Sequence, residues 1–239
     1  MFTPAPRIEW PARADLQECL RNAFLLAAAV LVLVLPTKHL NRAPRAAIAA
    51  QAQSQAQADF KGQPASQDAQ QLARWVARSG DNRQLNFVIL DKQDARLYVF
   101  DRRAHLIGAT PVLLGAAAGD DSVIGIGKRA IADVRPEERT TPAGRFDAEP
   151  GRNSLGEDVL WVDYDAAVSM HRVRVVDVRE RRLQRLASAN PADRRISYGC
   201  INVPVRFFED TLARTFKAQR GVVYVLPEVK PLRTVFPAI

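Results

Sequence analysis

The sequence predicts a mainly β domain with helices packed on it, an α+β fold of the β-sandwich or barrel kind. Three observations lead to this prediction. Several short runs rich in β-branched and aromatic residues lie between positions 86 and 227. Few segments there have a helical period, and strands and helices do not alternate regularly. The 239 residues are 47% hydrophobic and 25% charged, which suits one globular domain with extensions.

The strands and helices are predicted from local patterns. The predicted strands are the apolar runs at 87–90, 97–100, 105–115 (a strand pair), 159–165, 167–176 and 221–228. The first two form a hairpin around the polar stretch "DKQDAR". One helix is predicted at 180–190, where Pro191 stops it, and another at 204–217, where Pro204 suits the first turn.

An uncharged apolar run lies near the N-terminus. The thirteen residues "AFLLAAAVLVLVL" at 23–35 would make a helix of about 20 Å, shorter than the ~30 Å hydrocarbon core of a bilayer. Arg21 and Lys38 bracket the run and can reach the headgroups. We therefore expect a transmembrane anchor at 22–36, with a cleaved signal-peptide core as the alternative. Residues 1–21 would be cytoplasmic, although the basic residues on the two sides of the run are balanced.

The remaining chain divides by composition. Residues 37–80 are rich in Ala and Gln and are predicted to be a tether, with a flexible spacer at 41–68. Leu72, Trp75 and Val76 have helical spacing, so a short helix here can dock on the domain. The domain itself is predicted at 86–227, followed by a C-terminal tail at 228–239.

Charge and histidine spacing exclude some functions. The net charge is +8, but the arginines are interleaved with acidic residues and form no tail, so we expect no nucleic-acid binding. The three histidines lack the spacing of metal ligands, so no metal site is expected.

The stretch "ISYGCINVP" at 196–204 carries the candidate nucleophile. Cys19 precedes the apolar run, so Cys200 is the one cysteine of the exported part and has no internal disulfide partner. A helix starting near Pro204 and a nearby imidazolium would lower the thiol pKa. Gly199 permits close approach of a substrate carbonyl, and the N–H groups of residues 198–200 can form an oxyanion hole.

A thiol nucleophile needs a base, and His171 is the best candidate. His39 lies beside the apolar run, and His105 lies near a turn. His171 ends the predicted strand "AVSMH", and it can act as general base and acid toward Cys200. We expect a backbone carbonyl to orient its ring.

Three elements in the same order resemble the L,D-transpeptidases with a YkuD-type catalytic domain. They are the opening hairpin "NFVILDKQDARLYVF", the element "TTPAGRF" at 140–146, and "SMH" followed by "ISYGCINVP". The resemblance covers roughly residues 86–227. Two departures stand out: Tyr198 occupies a position that is usually His, and the stretch between His171 and Ser197 is longer than usual.

The resemblance implies a mechanism and a substrate. Cys200 would attack the carbonyl after the third residue of a peptidoglycan stem tetrapeptide, and His171 would carry the proton. An amine on another stem or on a protein would accept the acyl group, and no cofactor or metal would be needed. The reaction would take place outside the cytosol, with the protein tethered to the inner membrane. Alternatives are a carboxypeptidase that hydrolyses the thioester and a non-catalytic wall-binding module.

The resemblance also assigns supporting residues. Those expected to form the oxyanion hole or pocket are Ser197, Tyr198, Gly199 and Asn202. Apart from the resemblance, Arg172 and Arg195 are candidate substrate-binding residues. Arg194 and Arg195 are expected to form a solvated turn, with binding of a stem-peptide carboxylate as the alternative.

Overall fold

The computed structural model describes residues 58–217 and 219–239. Its strands are β1 (Phe87–Asp91), β2 (Arg96–Phe100), β3 (Leu106–Pro111), β4 (Leu114–Gly115), β5 (Gly144–Arg152), β6 (Asp158–Asp163), β7 (Val168–Arg172), β8 (Arg195–Ser197), β9 (Ile201–Val203) and β10 (Gly221–Val225). Its helices are α1 (Gln67–Ser79), α2 (Arg182–Ala187), α3 (Val205–Phe207, the π-helical turn Phe208–Leu212 and Ala213–Phe216) and α4 (Leu232–Val235). The predicted mainly β fold with few helices is confirmed.

Eight of these strands form one mixed sheet. Their order is β3-β2-β1-β10-β5-β6-β7-β9, and β4 pairs with β8 in a small second sheet. Pairing is parallel between β1 and β10 and between β7 and β9, and antiparallel elsewhere in the large sheet. Leu113 and Asn202 exchange backbone hydrogen bonds of 3.0 and 2.8 Å, which bring the chain after β3 to β9. The sheet therefore curls into a nearly closed barrel.

The inner strands are buried on both faces, which explains their uninterrupted apolar sequence. In β1, Val88 and Leu90 join a core that includes Phe208 and Phe216 of α3. Phe87 and Ile89 of the same strand face the opposite way, into a second core beneath α1. The predicted strand at 167–176 is shorter in the structure and ends at Arg172.

Helix α1 forms within the segment that was predicted to be a tether. Ser66 caps it by accepting a hydrogen bond from the Ala69 N–H, and Gly80 ends it in a left-handed conformation with φ 68°. Leu72 and Val76 are fully buried, as their spacing predicted. The spacer prediction is wrong for residues 58–68, because Phe60 packs edge-on against Tyr98 and Phe100.

The remaining predictions have mixed outcomes. Helix α2 is shorter than the predicted 180–190, and Leu183 is exposed while Leu186 is buried. The predicted tail also packs, since Phe236 after α4 is buried in the second core. The anchor at 22–36 and the segments around it lie outside the described residues. None of the described helices is long and apolar enough to span a membrane.

Lys92, which directly follows β1, is a fully buried cation. The Lys92 ammonium donates to the carbonyls of Gly119 and Thr141 and to Asp120, whose side chain is 1% exposed. Burial alone would raise the pKa of the Asp120 carboxyl, but hydrogen bonds from Lys92 and from the backbone N–H groups of 228–230 lower that pKa to about 2. The cluster therefore stabilises the fold above about pH 4 and loses this effect as the pH falls toward 2.

We expect Lys92→Met to lower the free energy of unfolding by about 3–5 kcal/mol, because it leaves the buried Asp120 carboxylate without its cation. Urea unfolding measures the change, and Lys128→Met, at an exposed position, is the matched control. A loss below about 1 kcal/mol, typical of exposed ion pairs, would contradict this role for the cluster.

Candidate active site

The pairing of β7 with β9 brings the two predicted catalytic residues to one face of the sheet. Met170 lies opposite Ile201, and His171 lies opposite Asn202. Met170 and Ile201 are fully buried in the core. Because side chains alternate along a strand, His171 and Ser169 point to the other face, where Cys200 also lies, next to Ser169.

The Cys200 thiol lies among neutral hydrogen-bonding groups. Its Sγ is 3.5 Å from the carbonyl oxygen of Ala167, to which it donates, and 3.9 Å from Ser169 Oγ. Burial raises the pKa of the Cys200 thiol, and hydrogen bonds from the Ser169 backbone N–H and hydroxyl only partly oppose this effect. The expected lowering of the thiol pKa is therefore wrong for the free protein. Strand β9 and Pro204 lie between Cys200 and the first residue of α3 in the sequence.

His171 is held as a neutral base. Its Nδ1 lies 2.8 Å from the Arg172 carbonyl oxygen, which can only accept, so Nδ1 carries the proton and Nε2 has the free lone pair. The expected backbone carbonyl partner is confirmed. Burial lowers the pKa of His171, the Arg172 carbonyl opposes this, and the charges of Arg182 and Arg174 lower the pKa further. Within residues 58–217 and 219–239 no hydrogen bond joins His171 to Cys200.

The backbone before Cys200 is tightly restrained. Ser197 Oγ donates to the Cys200 carbonyl at 2.6 Å and accepts from the Gly199 N–H at 3.1 Å. Thr141 Oγ1 donates to the Gly199 carbonyl at 2.8 Å, and Lys92 donates to the carbonyl of Thr141. The Gly199 N–H is therefore engaged, which leaves the N–H groups of Tyr198 and Cys200 for an oxyanion hole.

Gly199 has no room for a side chain. Its φ is 124°, and an added Cβ would lie 2.7 Å from the backbone oxygen of Thr140. We expect Gly199→Ala to lower the free energy of unfolding by about 2–4 kcal/mol, through backbone strain and this contact. Thermal unfolding measures the loss.

Gly125→Ala is the matched control for Gly199→Ala. Gly125 also has a positive φ, 76°, but apart from its chain neighbours no atom of the described residues lies within 4 Å of the position that an added Cβ would take. We expect it to cost only about 1 kcal/mol. Equal losses in the two variants would contradict the contact with Thr140.

Asn202 links the nucleophile to an arginine. Its side chain is fully buried, donates to the Cys200 carbonyl at 3.3 Å, and accepts from Arg182 Nη1 at 2.6 Å. Arg182 comes from α2, within the long stretch between His171 and Ser197.

Two other predicted site residues make their contacts with groups other than Cys200 and His171. Tyr198 is 41% exposed, and its ring lies 4.1 Å from the Arg139 guanidinium carbon. Arg172 alternates with His171 along β7, and its guanidinium donates to Glu209 at 3.1 Å and covers the ring of Phe208. The structure therefore does not bring Arg172 to the face that carries Cys200.

The two arginines before Ile196 do not form a solvated turn. Arg195 pairs with Glu228 and donates to the Lys92 carbonyl at 3.0 Å, so it belongs to the buried ionic cluster. Arg194 is 9% exposed and donates to the Asp94 carbonyl. Long-range partners bury both guanidinium groups, and the local sequence does not reveal these partners.

Ser169, Thr141 and Arg182 were missed by sequence reasoning. Ser169 had a usable signal, because it precedes His171 by two positions in a strand and so shares its face. Thr141 lies in the quoted element "TTPAGRF", but its contact with Gly199 depends on the fold.

Two other features of the described part bear on the site. A cavity of about 580 Å³ lies between β5, β6 and α3, and neither Cys200 nor His171 lines it. Across residues 58–217 and 219–239, no three His, Cys, Asp or Glu side chains are grouped as metal ligands.

No protein-family model and no curated protein matches the chain. Solved structures do match. The helical cell shape determining protein Pgp2 from Campylobacter jejuni is 16% identical, with a TM-score of 0.39 and coverage of 65% of this chain and 55% of that one. The catalytic domain of an L,D-transpeptidase from E. faecium is 16% identical, with a TM-score of 0.34 and coverage of 60% and 98%. An L,D-transpeptidase from Mycobacterium smegmatis is 15% identical, with a TM-score of 0.36 and coverage of 59% and 58%.

These matches concern the fold. Several of the matched structures are L,D-transpeptidases, the family that the sequence resembles. The chain spans little more than half the length of the Campylobacter and Mycobacterium smegmatis proteins.

Proposed function

We propose that the protein is a cysteine acyltransferase, an L,D-transpeptidase that acts on peptidoglycan stem peptides through a thioester on Cys200. One observation carries the proposal: Cys200 and His171 share a face of adjoining strands, and the Arg172 carbonyl leaves Nε2 of His171 as the free base. We further propose that the domain works outside the cytosol, anchored through residues 22–36, where the reaction would contribute to wall growth and cell shape.

The proton transfer starts from a neutral pair. The raised thiol pKa and the lowered imidazole pKa both favour a neutral thiol beside a neutral ring. General base catalysis suits this state, because His171 can take the thiol proton as the sulfur attacks. Attack on the peptide carbonyl forms the carbon–sulfur bond, and the N–H groups of Tyr198 and Cys200 can stabilise the oxyanion.

The acyl group then moves to the acceptor. His171 gives its proton to the leaving amine as the carbon–nitrogen bond breaks, and a thioester remains. An acceptor amine loses a proton to His171 and attacks this thioester, which returns the thiol. Water in place of the amine would give hydrolysis.

The test is to incubate the full-length chain with a defined stem tetrapeptide and an amine acceptor, and to identify the products by mass spectrometry. We expect release of the terminal residue and a new amide bond to the acceptor. Release without the amide would identify a carboxypeptidase, and no release would contradict both activities.

A non-catalytic wall-binding module is the second candidate. The raised pKa of the Cys200 thiol favours it, because such a thiol is weakly nucleophilic at neutral pH. In this case purified peptidoglycan would bind the chain, but stem peptides would remain unchanged at every pH tested.

A further inference from the structure

Arg182 presents a cation close to the candidate base. Its Nη1 donates to Asn202 Oδ1 at 2.6 Å, and Asn202 lies opposite His171 in the parallel ladder between β7 and β9. Neighbouring strands are about 4.8 Å apart. The guanidinium is therefore anchored one side chain away from the imidazole.

The guanidinium is restrained but not saturated. Its Nε donates to Glu180, and its Nη1 donates to Asn202, which is fully buried. An arginine has five N–H donors, and the other three have no hydrogen-bond partner within the described part of the chain. The side chain is 14% exposed. Its Nη2 is not among the buried, unpartnered nitrogen and oxygen atoms of the described residues, so an incoming group can reach it. A planar, pre-oriented fork of this kind suits a carboxylate.

The proposed mechanism indicates which carboxylate this is. His171 protonates the leaving nitrogen, so the leaving residue must lie beside the imidazole. When that residue is the last of the peptide, its carboxylate is separated from this nitrogen by only one carbon atom. The carboxylate of the leaving residue therefore lies near His171. Arg182 and Arg174 are the two arginines whose charges lower the pKa of His171, so they are the candidate partners for this carboxylate.

We propose that Arg182 binds the terminal carboxylate of the donor's leaving residue, and so selects peptides that end one residue after the attacked carbonyl. The inference rests on the proposed function, and it names the residue that determines which length of donor peptide is bound. Arg174 is the less suitable partner, because its side chain is 42% exposed and no buried side chain anchors it within residues 58–217 and 219–239.

The test measures binding in the absence of turnover. Full-length Cys200→Ala is titrated calorimetrically with a stem tetrapeptide that ends in a free carboxylate and with the same peptide ending in a carboxamide. We expect the carboxylate peptide to bind at least about ten-fold more tightly. Adding Arg182→Gln is expected to remove this preference and leave carboxamide binding unchanged, while Arg182→Lys retains part of it.

Arg179→Gln is the matched control, because Arg179 lies in the same segment, is 91% exposed and pairs with Asp177. It is expected to leave the preference intact. If Cys200→Ala binds the two peptides equally, the inference about Arg182 is overturned and the proposed function is not. This comparison requires no substitution at Arg182. A preference that survives in Arg182→Gln would also overturn the inference. If neither peptide binds, the proposed function fails with it.

Discussion

Cys200→Ala is expected to abolish release of the terminal residue from a stem tetrapeptide, with a loss of about 10⁴-fold or more. The reason is that no other described side chain can form the thioester at this position. The fold should persist, because the thiol makes only long contacts of 3.5 and 3.9 Å. We expect the free energy of unfolding to change by less than about 1 kcal/mol.

The matched control for this variant is Cys19→Ala. It removes the other cysteine of the chain and should leave peptide release unchanged. Residual release by Cys200→Ala at a tenth of the normal rate or more would contradict covalent catalysis by this sulfur.

His171→Gln is expected to lower the rate of release by about 10²–10⁴-fold, because glutamine cannot take the thiol proton. The pH profile gives a second readout. The lowered pKa of His171 keeps the ring neutral, so the rate should fall only at a pH below its ordinary value of about 6.5. This fall in rate at low pH is the acidic limb of the pH profile, and His171→Gln should lack it.

His105→Gln is the control for the histidine change, since His105 is exposed and pairs with Asp101 on the surface. It should keep both the rate and the acidic limb. An unchanged rate in His171→Gln would remove the general base from the mechanism. An acidic limb above the ordinary pKa of histidine would contradict the neutral pair.

Much of the fold was predictable because its signals are local. The strand runs at 87–90 and 97–100 are apolar without interruption, and they form β1 and β2, whose residues are buried on both faces. The boundary of the domain was harder to predict. Phe60 is a single aromatic residue in a polar segment, and only the fold shows that it packs on Tyr98 and Phe100.

The site divides in the same way. Residue types predicted that Cys200 and His171 act together, and the alternation of side chains along the strands explains why the two residues share a face of the sheet. The direction of the thiol pKa was not predictable, because burial depends on residues that are distant in the sequence. The connection from Lys92 through Thr141 to Gly199 joins positions more than a hundred residues apart, so no local pattern reveals it.

The most direct test of the central claim is to trap the acyl-enzyme. The full-length chain is mixed with a stem tetrapeptide without acceptor, quenched in acid within seconds, digested and analysed by mass spectrometry. We expect the mass of the tripeptide acyl group on the fragment that carries Cys200, sensitive to hydroxylamine and absent in Cys200→Ala. An unmodified Cys200 fragment at every quench time within the first turnover, in samples that have released the terminal residue, would contradict the thioester mechanism.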